Sequence, residues 1–139
     1  MLAGVKRGLP GLLVLAVLAG CSSDDSESDP PPAEGVPVQV AEAIDRLEQA
    51  TRRRDFAVIC GELLTTEARE RAGGDDCIRL LRSTAGDVRR PTISIVSIDI
   101  SGDRAEVRVR STARGQAPVE ETIQLVREGE GYRIAALEG

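Results

Sequence analysis

The chain has no histidine and no tryptophan, and Phe56 and Tyr132 are its only aromatic residues. Without histidine, imidazole acid–base catalysis and most zinc sites are excluded. With two aromatics there is no platform on which bases or sugar rings could stack. Lysine is nearly absent as well: Lys6 stands alone against seventeen arginines, so Schiff-base chemistry has no residue beyond the first few positions. A basic surface is also missing. The formal charge is -5; with Lys6 and Arg7 assigned to an export signal the remainder carries -7, and the five acids from Asp24 to Glu34 leave only -2 from Val38 onward. A nucleic-acid partner is therefore not expected. No cluster has the spacing of a metal or cofactor site, and no residue is assigned a catalytic role.

What is present begins at the amino terminus. Lys6 and Arg7 form a positive region, Leu9 to Leu18 an apolar one, and Ala19 and Gly20 are small residues ahead of Cys21, the three-part pattern of a secretory signal. The apolar run is too short for a permanent membrane span. Leu18-Ala19-Gly20-Cys21 resembles the bacterial lipobox, in which the cysteine thiol receives a diacylglyceryl group and becomes the first residue after cleavage. This predicts a signal peptide over 1–20, lipid attachment at Cys21, and export to the outer face of the bacterial cell membrane. Two or more acyl chains hold a protein stably at a bilayer, so the membrane is an expected partner through the anchor. Ser22 to Pro37 consists of Ser, Asp, Glu and Pro without hydrophobic periodicity. Together with Cys21 it is read as a disordered tether over 21–37, stiffened at Pro30-Pro31-Pro32.

From Val38 the pattern turns helical. Val40, Ile44, Leu47 and Thr51 share one face, with Glu42, Asp45, Arg46 and Glu48 mostly opposite, predicting an amphipathic helix that ends near Arg52-Arg53-Arg54. That triplet suits the negative end of the helix dipole, and it also has the chemistry to meet anionic headgroups. Asp55 is placed to cap a second helix in which Phe56, Ile59, Cys60, Leu63 and Leu64 recur on one face. A polar helical stretch continues from Thr65 to Ala72. Gly73-Gly74 breaks it, and Asp75-Asp76 can cap a further helix from Cys77 through Leu80 and Leu81.

After Pro91 the period becomes two. Ile93 and Ile95 are in one phase and Ile98 and Ile100 in the other, a slip that predicts a β-bulge between Ile95 and Ile98. "RAEVRVR", "EETIQLVRE" and "YRIAAL" follow with short connections, so four antiparallel strands in meander order are expected. Exposed Arg and Glu on facing strands are expected to pair across the sheet. Arg104, Arg108, Arg110 and Arg133 could instead gather as an anion site.

Once Cys21 is assigned to lipid, Cys60 and Cys77 remain as an even pair in an oxidising compartment. A disulfide between them would staple two helices across Gly73-Gly74, worth about 3 kcal/mol in the chain-entropy picture.

At "RRRDFAVICGELLTTEAR" followed by Cys77, and again at "GDRAEVRVR" and "REGEGYRIAAL", the chain resembles small bacterial lipoproteins of the nuclear transport factor 2-like (SnoaL-like, cystatin-like) superfamily. Arg54-Asp55 stands for their Gly-Asp, and Gly131-Tyr132-Arg133-Ile134 for their Gly-Trp-Arg-Ile. The resemblance implies one α+β domain over 38–139, with helices packed in the concave face of a curved four-stranded meander that forms a cone. Members include isomerase and dehydratase types, whose chemistry needs acids, His or Tyr converging in the cone. Here only Tyr132 and scattered acids such as Asp99 are available, and Tyr132 reads as packing. The expected function is a non-enzymatic, lipid-anchored extracytoplasmic domain that binds an envelope protein or a small apolar ligand. The alternative is a small isomerase-like or hydrolase-like enzyme using a carboxylate in the cone.

Overall fold

The computed structural model describes residues 35–138. The signal peptide, Cys21 and most of the tether lie outside the described residues. Helix α1, Val36–Arg53, begins inside the stretch read as tether, because Pro37 fits the first helical turn, where no amide partner is needed. Val40, Ala43, Ile44, Leu47 and Ala50 form its buried stripe. The helix ends where Arg54 turns left-handed (φ 57°) and returns its N–H to the carbonyls of Ala50 and Thr51.

Asp55 caps the next segment, its side chain accepting the Val58 N–H at 3.2 Å. This segment, α2 (Phe56–Val58), widens at once into a π turn over Ile59–Leu63. The predicted apolar face survives the change of pitch: Phe56, Ile59, Cys60 and Leu63 are all buried. The helix does not run on into the polar stretch. Leu64 is extended and makes a parallel bridge with Ile134, and the Thr65 N–H donates to the Ile134 carbonyl at 2.9 Å. Thr65 then caps α3 (Thr66–Arg71) through its hydroxyl, which accepts the Ala68 N–H at 3.1 Å.

A 3-10 turn, Gly74–Asp76, leads into α4, Cys77–Ala85. Gly73 has φ 109°, a backbone conformation that side-chain-bearing residues rarely adopt, so glycine suits the turn that leads into α4. Asp76 precedes α4 but makes no capping bond. Its carboxylate pairs with Arg79 at 3.1 Å instead, and that guanidinium holds the Asp76 carboxyl below its ordinary value. Cys60 and Cys77 are joined in a disulfide with Cα atoms 6.1 Å apart, both buried, linking the π turn to the start of α4.

Strands β1 (Thr92–Ser101), β2 (Arg104–Thr112), β3 (Val119–Glu128) and β4 (Gly131–Glu138) form one antiparallel sheet in sequence order. The β1–β2 register shifts between Ile95 and Ser97, where the slipped alternation predicted a bulge. A second shift, between Gln124 and Leu125 on the β3–β4 ladder, leaves Ala135 as the extra residue, and it had no signature in the hydrophobic pattern. Both bulges bend the sheet around the helices. Ala105, Val107, Val109, Ile123, Leu125, Tyr132 and Ile134 face the stripe of α1, which contacts both edge strands, β1 and β4.

Of the two charge expectations, cross-strand pairing is met at one place and the anion cluster is corrected. Arg110 stands opposite Glu120 in the register without forming an ion pair, and the pair that spans two strands among the described residues is Arg133–Glu128 at 3.3 Å. Exposed pairs gain too little in water to hold two long side chains in place. The four arginines also do not gather. Arg104, Arg108 and Arg110 run along the exposed face of β2, while Arg133 on β4 is engaged by Glu128 and by the Leu64 carbonyl at 3.5 Å.

Candidate functional site: the open end of the cone

The narrow end of the cone is solid. Val40, Ile44, Val107, Leu125 and Ile134 are at most 2% exposed and fill it. At the other end, where β1 and β3 begin and β2 and β4 finish, the helices and the sheet diverge around a cavity of about 340 Å³. Leu47, Phe56, Ile59 and Ile93 form its inner wall, and Leu81 and Ala85 of α4 one side. The β2–β3 connection, with Ala113 and Ala117, forms the other side. The space follows from composition: small residues stand on two sides, and Phe56 is the one aromatic in the wall.

Polar groups in this wall are few and mostly engaged. The Thr51 hydroxyl donates to the Leu47 carbonyl at 2.7 Å, and the hydroxyls of Thr92 and Thr112 bond to each other. Gln116 also lines the wall, and Ser111 and Glu121 are half-buried, with the Ser111 hydroxyl 3.5 Å from the Glu121 carboxylate. Among the described residues, Glu121 is the one ionisable side chain in the cavity wall. Beside the mouth, Val119 and Leu137 are exposed apolar residues.

Asp99 and Tyr132 do not meet here. Asp99 lies opposite Glu106 on the exposed outer face, in the phase opposite to the buried Val107. Tyr132 is 6% exposed within the core, and its hydroxyl has no hydrogen-bond partner among the described residues. A carboxylate does enter the cone, but it is Glu121. The signal was available in the sequence: Glu121 shares its phase with Ile123 and Leu125, so a charge stands in the inward series of β3.

No family model matches the chain, and no curated protein is similar to it in sequence. Among solved structures, an NTF-2-like protein of unknown function from Silicibacter pomeroyi DSS-3 superposes with a TM-score of 0.56 at 15% identity. The alignment covers 73% of this chain and 91% of that one. The fold is nuclear transport factor 2-like. In this nuclear transport factor 2-like cone, the mouth lies at the end where α1 finishes, and the chain enters at the opposite, filled end.

Proposed function

We propose that this domain is a non-catalytic binding module of the cell envelope, exported and tethered through lipid on Cys21, and that its cone takes a small, largely apolar ligand. The observation that carries the reading is the cavity at the open end: its wall is mostly apolar, and among the described residues its single ionisable group, Glu121, has no titratable partner beside it. Acid–base chemistry of the isomerase kind uses groups whose environments push their proton affinities apart. One carboxylate hydrogen-bonded to a serine does not supply such a pair. A small isomerase or hydrolase, the competing class, would have to work through Glu121 alone.

N-phenyl-1-naphthylamine, a neutral apolar fluorophore, tests the cone. The full-length chain should enhance its emission, and Ala85→Phe, which fills the cavity from α4, should abolish the enhancement. No enhancement, or enhancement untouched by Ala85→Phe, refutes the reading. Mass spectrometry of the mature amino terminus tests the tether; an unmodified Cys21 refutes that half.

A further inference from the structure

Three arginines stand together just outside the mouth. Arg89 and Arg90 precede β1, Arg114 lies near the start of the β2–β3 connection, and a 2.7 Å hydrogen bond from the Arg114 N–H to the Arg89 carbonyl locks the two loops side by side. With Gly115 they line a shallow concavity of about 600 Å³. All three are exposed, and none is within ion-pair distance of a carboxylate among the described residues. Exposed guanidinium groups on adjoining loops, without carboxylate partners, raise the local positive potential, which an anion relieves.

Backbone geometry adds a second observation. Arg90 is held at φ 48°, a left-handed conformation that costs a non-glycine residue roughly 1–2 kcal/mol, and it precedes Pro91, which restricts it further. Strain of this kind persists where the surroundings over-determine it, and it clusters at sites of function. Gly115, at φ 79°, lets the opposite loop turn tightly against it. The rim is continuous with the cone, because Pro91, Ala113 and Gln116, the direct neighbours of these residues, line the apolar cavity.

We infer that Arg89, Arg90 and Arg114 bind the anionic head, a carboxylate or phosphate, of an amphipathic ligand whose apolar part occupies the cone. The inference rests on the cone reading and names the ligand class for it. Among the described residues no cation lines the cavity, and Glu121 disfavours an anion inside, so the head stays at the rim. Guanidinium groups suit such a head because their planar forks match carboxylate and phosphate oxygens.

The test compares a dansylated undecanoic acid with its methyl ester on the full-length chain in phosphatidylcholine nanodiscs, with empty nanodiscs subtracted. The acid should bind about tenfold more tightly than the ester, the scale of one charge-assisted hydrogen bond. The triple variant Arg89→Gln, Arg90→Gly, Arg114→Gln should reduce the acid to the level of the ester and leave the ester unchanged; glycine at 90 removes the charge and the left-handed penalty together. Ala85→Phe should weaken both probes, and inorganic phosphate at the probe concentration should not displace the acid. Equal binding of acid and ester by the unaltered chain overturns the rim while the cone stands. Acid binding that survives Ala85→Phe, or yields to phosphate, overturns the coupling of rim to cone. If neither probe binds, the cone reading fails with it.

Discussion

The carboxylate of Glu48 on α1 accepts a hydrogen bond of 2.7 Å from the backbone N–H of Ile93 in β1, and its other oxygen pairs with Arg52 at 3.1 Å. One side chain thereby closes an edge amide of the sheet and fixes the helix over the cavity, since Ile93 and Leu47 both line that space. Glu48→Ala should lower unfolding stability by about 1.5 to 3 kcal/mol, the range for hydrogen bonds to charged groups. Urea denaturation measures it. A loss below a few tenths of a kcal/mol would show that the contact does not anchor the helix.

The Cys60–Cys77 bond closes a loop with a sequence separation of 17 across the Gly73 turn. Cys60→Ala with Cys77→Ala should cost about 3 kcal/mol. Two reactive thiols in the denatured, unreduced exported protein would contradict the bond itself.

Arg54 occupies the left-handed position that closes α1, with φ 57°. Arg54→Gly should raise stability by roughly 0.5 to 1 kcal/mol, because glycine adopts this conformation without steric cost, though its unfolded chain is freer. The thermal midpoint of the variant against the unaltered chain reads it directly.

Tyr132 buries a hydroxyl that lacks a partner among the described residues. Tyr132→Phe keeps the ring and removes the desolvated group, so stability should be unchanged or higher by about 1 kcal/mol. A clear loss would place a hydrogen-bond acceptor beside it.

Asp76 supplies a pH dependence whose sign is set by Arg79. The hydrogen bond and charge of that guanidinium lower the carboxyl from its ordinary 3.8. The depressed value means that the ionised form favours the folded chain: its contribution is present above 3.8 and disappears as pH falls through the lowered value. Comparing acid unfolding of Asp76→Asn with the parent should show the difference only on the high-pH side, and salt should shrink it.

The parts of the fold legible beforehand were those in which one residue type breaks a period. The slipped alternation between Ile95 and Ile98 located the first bulge, and the face from Phe56 to Leu63 located the buried side of the second helical segment, although the π turn inside it left no mark. The break at Leu64 was hidden because Leu64-Thr65-Thr66 carries no helix breaker; the cause is tertiary, a carbonyl offered by Ile134 far along the chain. The site was less legible than the fold. A pocket arises from what two surfaces fail to fill, and the small residues Ala85, Ala113 and Ala117 that leave the space lie on separate segments, which only the folded topology brings together. Glu121 was written in the inward phase of β3 and could have been read there.

The bridge between Leu64 and Ile134 also ties the helical layer to β4. The helical half precedes the sheet in the chain, yet the extended residue that separates its two middle helices takes its main-chain partner from β4, the last of the described strands. Until that strand arrives, the break at Leu64 has nothing to pair with, and α1 lacks one of the two strands it rests on. The extended residue between the helical segments and one of the two edge strands under α1 thus both depend on β4, so the helical layer takes its final arrangement only once β4 has docked.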